Sequence, residues 1–285
     1  NYKDALSASC AHGVTKKYPH TPGIDASGTV EESNTDDFPL GTKVIITGFD
    51  LGMNTSGGFA EYIRVPKSWA VKCPDNITTR ESMILGTAGL TAGLSIIAIS
   101  EKIKLNRSKI VVSGATGGLG SLSIKLLSYL GAKVTAITGK IQKTDYLIDL
   151  GASEVLSREE FISSNRVPLN KKEFHGAVDT VGGEILSSII ARLEYGGKVA
   201  VCGNVGGPHF TTTVLPFILR SNSLIGIDSA ECSIDQKKLI WQNFDSVWKL
   251  NSLNKLTREV ELANLMPEIQ QILKGNQTGR ILVKI

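Results

Sequence analysis

Cysteine and histidine, the residues that most often build disulfide frameworks and metal sites, are scarce in this sequence. Its 285 residues include four cysteines and four histidines. The cysteines lie far apart and form no CxxC pair, so a disulfide framework is not expected and a reduced, cytoplasmic setting fits better. The histidines show no ligand spacing, so we predict no bound metal. The residues concerned are Cys10, Cys73, Cys202, Cys232, His12, His20, His175 and His209.

The sequence also lacks a large excess of one charge sign, and it has no long hydrophobic run. The 31 basic and 27 acidic residues give a net charge of +4. They are scattered along the chain, which argues against a nucleic-acid partner. The most apolar stretch, residues 84–99, is 16 residues long and contains three glycines and three hydroxyl side chains. A membrane-spanning helix needs ~20 apolar residues, so we predict a buried helix and no membrane partner.

An apolar, β-branched run ends in a cluster of glycines between residues 110 and 120. A helical pattern up to residue 130 follows the sequence Ile110-Val111-Val112-Ser113-Gly114-Ala115-Thr116-Gly117-Gly118-Leu119-Gly120. Strand, glycine turn and helix in this order suit the pyrophosphate of a dinucleotide. Glycines allow close approach of the backbone, and the helix N-terminus offers unpaired N–H groups. Ala115 stands where the usual fingerprint has its first glycine, so the spacing alone leaves an ordinary strand-to-helix turn as an equal alternative.

The next strand candidate, residues 133–138, ends without an acidic residue. Enzymes specific for NAD usually carry Asp or Glu there, ~20 residues past the glycines, to bind the ribose 2′-hydroxyl. Here the position holds Thr138-Gly139-Lys140. A hydroxyl, a backbone N–H and a cation suit the 2′-phosphate of NADPH, which a carboxylate would repel. The alternative is that Lys140 is a solvated lysine in a turn.

Strands and helices alternate through the middle of the chain, whereas the first 80 residues are β-rich and irregular. Strand candidates in that first part are residues 28–32, 43–47, 58–66 and 70–72. From residue 79 to 228, short apolar strands alternate with helical segments, which is typical of βαβ units and a parallel sheet. The chain then returns to helices and closes with a strand candidate at 280–285. We therefore predict an α/β protein in which a doubly wound Rossmann sheet is inserted in a β-rich domain.

Motifs spread over nearly the whole chain resemble those of a single protein superfamily. The first are Asn1-Tyr2-Lys3-Asp4, Pro22-Gly23-Ile24-Asp25-Ala26-Ser27-Gly28, Gly57-Gly58-Phe59-Ala60-Glu61-Tyr62 and Gly86-Thr87-Ala88-Gly89-Leu90-Thr91-Ala92. The later ones are Tyr146-Leu147-x-x-Leu150-Gly151-Ala152-Ser153, Asp179-x-Val181-Gly182-Gly183 and Gly226-Ile227-Asp228-Ser229-x-Glu231-Cys232. The first set resembles the medium-chain dehydrogenase/reductase superfamily. The later set is similar to its acrylyl-CoA reductase family, whose members are also described as quinone oxidoreductases.

The resemblance implies a division into two domains. A Rossmann NADPH-binding domain over residues 91–230 is inserted in a GroES-like catalytic domain of residues 1–90 and 231–285. It also implies a homodimer formed through the edge of the Rossmann sheet, and a small-molecule substrate. Relative to the family the chain begins late, so we expect the catalytic domain to be incomplete at its N-terminus.

One departure separates the chain from the zinc-dependent alcohol dehydrogenases of the superfamily. Those enzymes place a histidine directly after the glycine of a Gly-His-Glu motif, whereas this chain has Ile24 at that position. An isoleucine cannot ligate a metal, and the clustered cysteines of a structural zinc lobe are missing. We therefore expect no zinc, and reduction of an activated double bond rather than oxidation of a simple alcohol.

The family chemistry implies that NADPH delivers hydride to the β-carbon of an α,β-unsaturated thioester such as acryloyl-CoA, and that a proton then reaches the α-carbon. Tyr2 matches a tyrosine near the nicotinamide of related zinc-free reductases, and it is the candidate proton donor or substrate-orienting group. The alternative is a tyrosine that only walls the cleft, because solvent can protonate an enolate and chain ends fray. We interpret Asn1 and Asp4 as local hydrogen-bonding partners.

The resemblance also assigns contacts to the cofactor, most of them where strands end. Arg158 follows the third strand and is either a ligand of the adenosine phosphate or a surface arginine. Cys202 has no adjoining His or Lys, which favours packing over nucleophilic chemistry. The full set is Tyr2, Thr116, Gly117, Gly118, Leu119, Gly120, Thr138, Gly139, Lys140, Arg158, Cys202, Gly203, Asn204, Ile227, Asp228, Ser229 and Arg280.

Two further functions stay open at this point. A reductase of quinones or general enones shares every cofactor motif, so only the substrate cleft separates it from a thioester reductase. Lys16-Lys17 is a candidate contact for coenzyme A, or an ordinary solvated turn. An inert NADPH-binding protein, as among the lens crystallins of the superfamily, is the alternative of another class.

Overall fold

The computed structural model describes residues 1–11, 13–164 and 167–285, so His12 lies outside the described residues. The chain divides into two compact units. The first contains Asn1–Leu90 and Ser229–Ile285, and the second contains Thr91–Asp228. The second unit is thus inserted between two segments of the first.

The secondary structure of the described residues alternates most regularly in the second unit. The strands are β1 Asp25–Thr29, β2 Lys43–Thr47, β3 Ala70–Lys72, β4 Lys109–Val112, β5 Lys133–Thr138, β6 Ala152–Ser157, β7 Phe174–Asp179, β8 Leu193–Val201, β9 Ser223–Gly226, β10 Thr257–Glu261 and β11 Arg280–Lys284. The helices are α1 Tyr2–Ala8, α2 Thr79–Ser100, α3 Gly118–Tyr129, α4 Thr144–Asp149, α5 Arg158–Ser163, α6 Gly183–Ala191, α7 Leu215–Arg220, α8 Ile234–Asp245 and α9 Leu265–Leu273.

The second unit is built on a six-stranded sheet in the order β6-β5-β4-β7-β8-β9. Every pair in it is parallel. In the central strand β4, Ile110, Val111 and Val112 are fully buried, as expected where helices cover both faces of a sheet. The strand order reverses beside β4, and in open parallel sheets ligands bind beyond the carboxyl ends of the strands at that point. The predicted Rossmann sheet is therefore confirmed.

The first unit contains two small sheets. β1, β2 and β3 form an antiparallel sheet in which Asp25 lies opposite Thr47. β10 and β11 form a parallel pair. Two clusters of buried apolar residues among the described residues lie in this unit, one around Val44, Ile46 and Leu51, the other around Leu265 and Ile269. A cavity of about 2410 Å³ is lined by residues of both clusters.

Three sequence-based expectations for the first unit need correction. Residues 58–66 form bends and irregular structure instead of a strand. The N–H groups of Gly58 and Phe59 donate to the carbonyls of Gly23 and Pro22, so this backbone bonds to a turn and not to a sheet. The strand expected at 28–32 lies three residues earlier, at β1. Helix α1 and strand β10 were not expected.

Helix α2 is long and apolar enough to span a membrane by length and composition, and 72% of its apolar window is buried. Core helices of globular proteins meet the same criteria, so this helix is weak support for a membrane contact. Gly86 breaks the helix with φ 50° and ψ −152°. The break was not foreseen, although the helix was.

Candidate cofactor and active site

The glycine turn between β4 and α3 has the shape that a pyrophosphate requires. Gly114 adopts a positive φ of 57°, and Gly117 caps the N-terminus of α3. A Cβ on Gly120 would lie 2.4 Å from the carbonyl oxygen of Gly114, so only glycine allows the helix to approach the turn this closely. Ala115 is fully buried and its N–H donates to Ile137 at the end of β5. The alanine therefore fits the turn. The phosphate contacts expected at the N-terminus of α3, from Thr116, Gly117, Gly118 and Leu119, stay a prediction.

A second group of polar and basic residues meets where β5 ends. The Thr138 hydroxyl accepts the N–H of Lys140 at 3.0 Å and lies 3.4 Å from the Thr116 hydroxyl. Arg158 lies over Gly139, because a Cβ there would be 3.1 Å from a guanidinium nitrogen. Burial, together with the neighbouring Lys143, lowers the pKa of Lys140. Lys140 is partly buried, whereas Lys143 and Arg158 are exposed. A bound phosphate would stabilise the charges of three cations so close together.

A buried carboxylate that was not among the expected site residues holds the neighbouring turns. Asp179 accepts the Ser113 hydroxyl at 2.6 Å and the Gly182 N–H at 2.9 Å. Burial raises the pKa of Asp179. Ser113 in turn accepts the N–H of Thr180. Asp179 thus ties the carboxyl ends of β4 and β7 together. A polar residue at the end of an apolar strand was the signal that could have identified it.

The remaining expected residues of the second unit lie after β8 and β9. The Cys202 N–H donates to the Asp179 carbonyl, and a Cβ on Gly203 would lie 2.1 Å from the Thr180 carbonyl. Burial raises the pKa of the Cys202 thiol to about 12, which agrees with a packing role. Asn204 accepts the N–H of Gly207, and the Ile227 N–H donates to Val201. Asp228 ends the second unit, and Ser229 begins the returning segment of the first.

Tyr2 stands on an ordered helix, because Asn1 and Asp4 form a capping box at the start of α1. The Tyr2 side chain is 39% exposed and accessible to a ligand. Asp4 is buried and accepts the side-chain amide of Asn1 at 3.1 Å and the N–H of Ile24 at 2.7 Å. Asn1 and Asp4 are local partners in the first turn of α1, but both also bond to residues that are distant in the sequence, which the sequence interpretation did not include.

Asn1 also joins a buried ion pair that the sequence reasoning missed. Its amide donates to Asp25 at 2.9 Å and accepts from Arg280 at 2.8 Å. Arg280 and Asp25 lie 3.6 Å apart, with side chains less than a tenth exposed. Burial lowers the pKa of Arg280 and the Asp25 charge opposes that change. Arg280 was expected to contact the cofactor, and the contacts described here place it in this network; the cofactor contact stays a prediction.

The break in α2 at Gly86 is built around the same ion pair. The Asp25 carboxylate accepts the N–H and hydroxyl of Thr87, where the second part of the helix begins. Arg280 donates to the Ile84 carbonyl, where the first part ends. An anion at a helix N-terminus and a cation at a C-terminus are both favourable. A Cβ on Gly86 would lie 2.4 Å from Asp25, so glycine is required there.

Comparison with protein families matches both units. Residues 1–75 match the alcohol dehydrogenase GroES-like domain, and residues 118–245 match the zinc-binding dehydrogenase domain. The acrylyl-CoA reductase AcuI of Ruegeria pomeroyi is 36% identical over 286 residues, which cover all of this chain and 87% of that protein. The chain belongs to the medium-chain dehydrogenase/reductase superfamily. The family resemblance stated from the sequence is confirmed.

Two solved structures are similar over the whole chain. The yhdH oxidoreductase of Salmonella enterica, in complex with NADP, is 39% identical, with a TM-score of 0.96 over 100% of this chain and 88% of that one. The yhfP protein of Bacillus subtilis, with NAD bound, is 41% identical, with a TM-score of 0.96 over 100% of this chain and 87% of that one. These neighbours confirm the fold class.

The domain matched by residues 118–245 is named for zinc binding, so the residue at the zinc-ligand position of the superfamily, Ile24, needs to be considered. Ile24 is buried and lies where the zinc-dependent members carry a histidine. Within residues 1–11, 13–164 and 167–285, no group of three or more His, Cys, Asp or Glu side chains could hold a metal ion. Independence from zinc stays a prediction, which rests on the sequence at Ile24.

Proposed function

We propose that this chain is an NADPH-dependent oxidoreductase that reduces the C=C bond of an α,β-unsaturated acyl thioester such as acryloyl-CoA. The preference for NADPH over NADH is inferred from the residues at the end of β5. Thr138, Gly139 and Lys140 lie beside Arg158 there, and no Asp or Glu occurs between residues 138 and 143. The yhdH structure with NADP and the reductase AcuI support the same assignment.

The residues of the second unit fit this cofactor. A Cβ on Gly114 would clash with Thr180 and a Cβ on Gly120 with the Gly114 carbonyl, so the close turn before α3 requires both glycines, and the cations at the end of β5 suit the 2′-phosphate. When bound, NADPH supplies a hydride. The cofactor contacts proposed are those named from the sequence, from Thr116 to Ser229, together with Arg280 and Tyr2.

Tyr2 is the proposed donor of the proton to the substrate α-carbon, or the hydroxyl that orients the thioester. As the β-carbon accepts hydride, negative charge develops on the thioester oxygen, and a nearby hydroxyl stabilises that charge. The capping box of Asn1 and Asp4 holds the first turn of α1, and the Asn1 bonds to Asp25 and Arg280 anchor it. These residues position Tyr2; they are not assigned a contact with the substrate.

A quinone or enone reductase is the second candidate, because the B. subtilis relative YhfP, 41% identical over 287 residues, is named as a quinone oxidoreductase. Steady-state oxidation of NADPH with acryloyl-CoA or 1,4-benzoquinone separates the two. We expect kcat/KM to be at least about tenfold higher for acryloyl-CoA, the preference that about 1.4 kcal/mol of extra transition-state binding produces. A preference for the quinone would favour the alternative. Tight NADPH binding without turnover of either compound would indicate an inert binding protein.

We also propose that the protein forms a homodimer and that it is cytoplasmic. β9 lies at the edge of the six-stranded sheet, and Ile218, Leu219 and Leu224 near it are between 39% and 69% exposed. Exposed edge strands with apolar neighbours favour pairing with a second copy. The four cysteines are free thiols, as suits a reducing compartment. Light scattering on the purified chain and on Ile218→Lys tests the dimer, since a charge in a dimer interface would give monomers.

A further inference from the structure

The motif that begins at Tyr146 has no part in the proposed chemistry, yet its first residue touches the glycine turn. The Tyr146 hydroxyl donates to the Ser121 hydroxyl at 3.0 Å. Ser121, fully buried in the first turns of α3, donates onward to the carbonyl of Ala115 at 3.2 Å. Tyr146, Ser121 and Ala115 therefore form one chain of hydrogen bonds that ends on the backbone of the turn.

The other residues of the motif hold Tyr146 in place. Leu147 is fully buried and Leu150 is nearly so. Gly151 has a φ of 107°, and a Cβ there would lie 2.2 Å from the Ser128 hydroxyl of α3. The motif thus meets α3 at two points, seven residues apart along that helix. Its conformation fixes the place of the Tyr146 ring.

The chain of hydrogen bonds starts in the segment that follows β5, which also carries the basic residues proposed to bind the 2′-phosphate. Lys143 immediately precedes α4, on which Tyr146 stands, and Lys140 lies three residues before Lys143. The Ala115 N–H bonds to Ile137 at the end of β5. One connection therefore joins the glycine turn to β5 itself, and a second joins it to the helix that follows β5. Burial raises the pKa of the Tyr146 hydroxyl, which keeps it a donor at neutral pH.

We propose that Tyr146 and Ser121 are positioning residues of the dinucleotide site, which hold the Ala115 carbonyl and with it the phosphate-binding turn. The inference rests on the proposed NADPH binding. Because the chain acts on the turn that meets the pyrophosphate, its loss should weaken NADPH and NADH equally. Loss of a residue at the 2′-phosphate would weaken NADPH alone.

The test uses two substitutions that remove single hydroxyls, each with a matched control. Tyr146→Phe is compared with Tyr129→Phe, which changes an exposed tyrosine of α3. Ser121→Ala is compared with Ser123→Ala, whose buried hydroxyl has no hydrogen-bond partner among the described residues. Kd for NADPH and NADH is measured by titration of cofactor fluorescence, and kcat at saturating NADPH is measured alongside the melting temperature without cofactor.

We expect Tyr146→Phe and Ser121→Ala each to raise both Kd values about 3- to 10-fold, the effect of one lost hydrogen bond, with kcat unchanged. The double variant should be no weaker than Ser121→Ala alone, because both act through one chain. Unchanged Kd in Tyr146→Phe, equal weakening by Ser123→Ala, or additive effects in the double variant would overturn the inference. Wild-type protein that fails to bind NADPH would instead overturn the proposed function.

Discussion

Lys140 offers the sharpest test of the cofactor assignment, through the substitution Lys140→Glu. The side chain is half-buried and lies near Lys143, while Arg158 covers the adjacent Gly139. Two unit charges about 5 Å apart interact by about 1.7 kcal/mol at an effective dielectric constant of about 40. Glutamate replaces that attraction to a 2′-phosphate by a repulsion of similar size, a change of about 3 kcal/mol.

Salt screening and the remaining cations reduce that effect. We therefore expect Kd for NADPH to rise about 30- to 100-fold and Kd for NADH to change less than about threefold. Fluorescence titration with each nucleotide measures both constants. Lys133→Glu makes the same charge change at the exposed, opposite end of β5 and serves as the control. Equal weakening of NADPH and NADH by Lys140→Glu would remove Lys140 from the phosphate site.

The same lysine predicts how cofactor binding depends on pH. Burial and Lys143 lower its pKa in the free protein, and a bound phosphate would raise it again. Binding then takes up a proton, so NADPH affinity falls as the pH rises through the lowered pKa. NADH affinity, measured over the same range, should be flat in comparison. An identical pH profile for both nucleotides would contradict this linkage.

Three other predictions concern the catalytic unit and the buried thiol. Tyr2→Phe should lower kcat with acryloyl-CoA about 10- to 100-fold, because it removes the proposed proton donor, and should change Kd for NADPH less than about threefold, because the ring proposed to contact the cofactor remains; unchanged turnover would remove the donor role. Asp25→Ala should destabilise the protein by about 3–5 kcal/mol in urea unfolding, since it strands the buried charge of Arg280, whereas Asp37→Ala at the exposed Lys67 pair should be silent. Iodoacetamide at pH 8 should label exposed Cys10 and spare Cys202, whose pKa is about 12; equal labelling would show that Cys202 is accessible.

Local sequence signals predicted the elements of the candidate cofactor site. The apolar run before Gly114 and the helical pattern after Gly117 were sufficient to place β4, the turn and α3. Thr138-Gly139-Lys140 predicted a phosphate site, because the end of the strand and the lack of an acidic residue after it are both visible within a few neighbouring residues. Periodicity failed for residues 58–66, where the backbone bonds to the turn at Pro22 and Gly23. Close packing between remote turns leaves no local trace.

Contacts between distant residues required the tertiary structure. Asp25 and Arg280 are separated by most of the chain, so neither predicts the other, and their pairing explains why α2 breaks at Gly86. The sequence by itself determined the parallel sheet, the glycine turn and the absence of an acidic residue after β5, because each depends on neighbouring residues. The tertiary structure alone decided that Arg158 covers Gly139 and that Tyr146 reaches Ser121. Those contacts depend on how separate strands and helices pack, which local patterns do not specify.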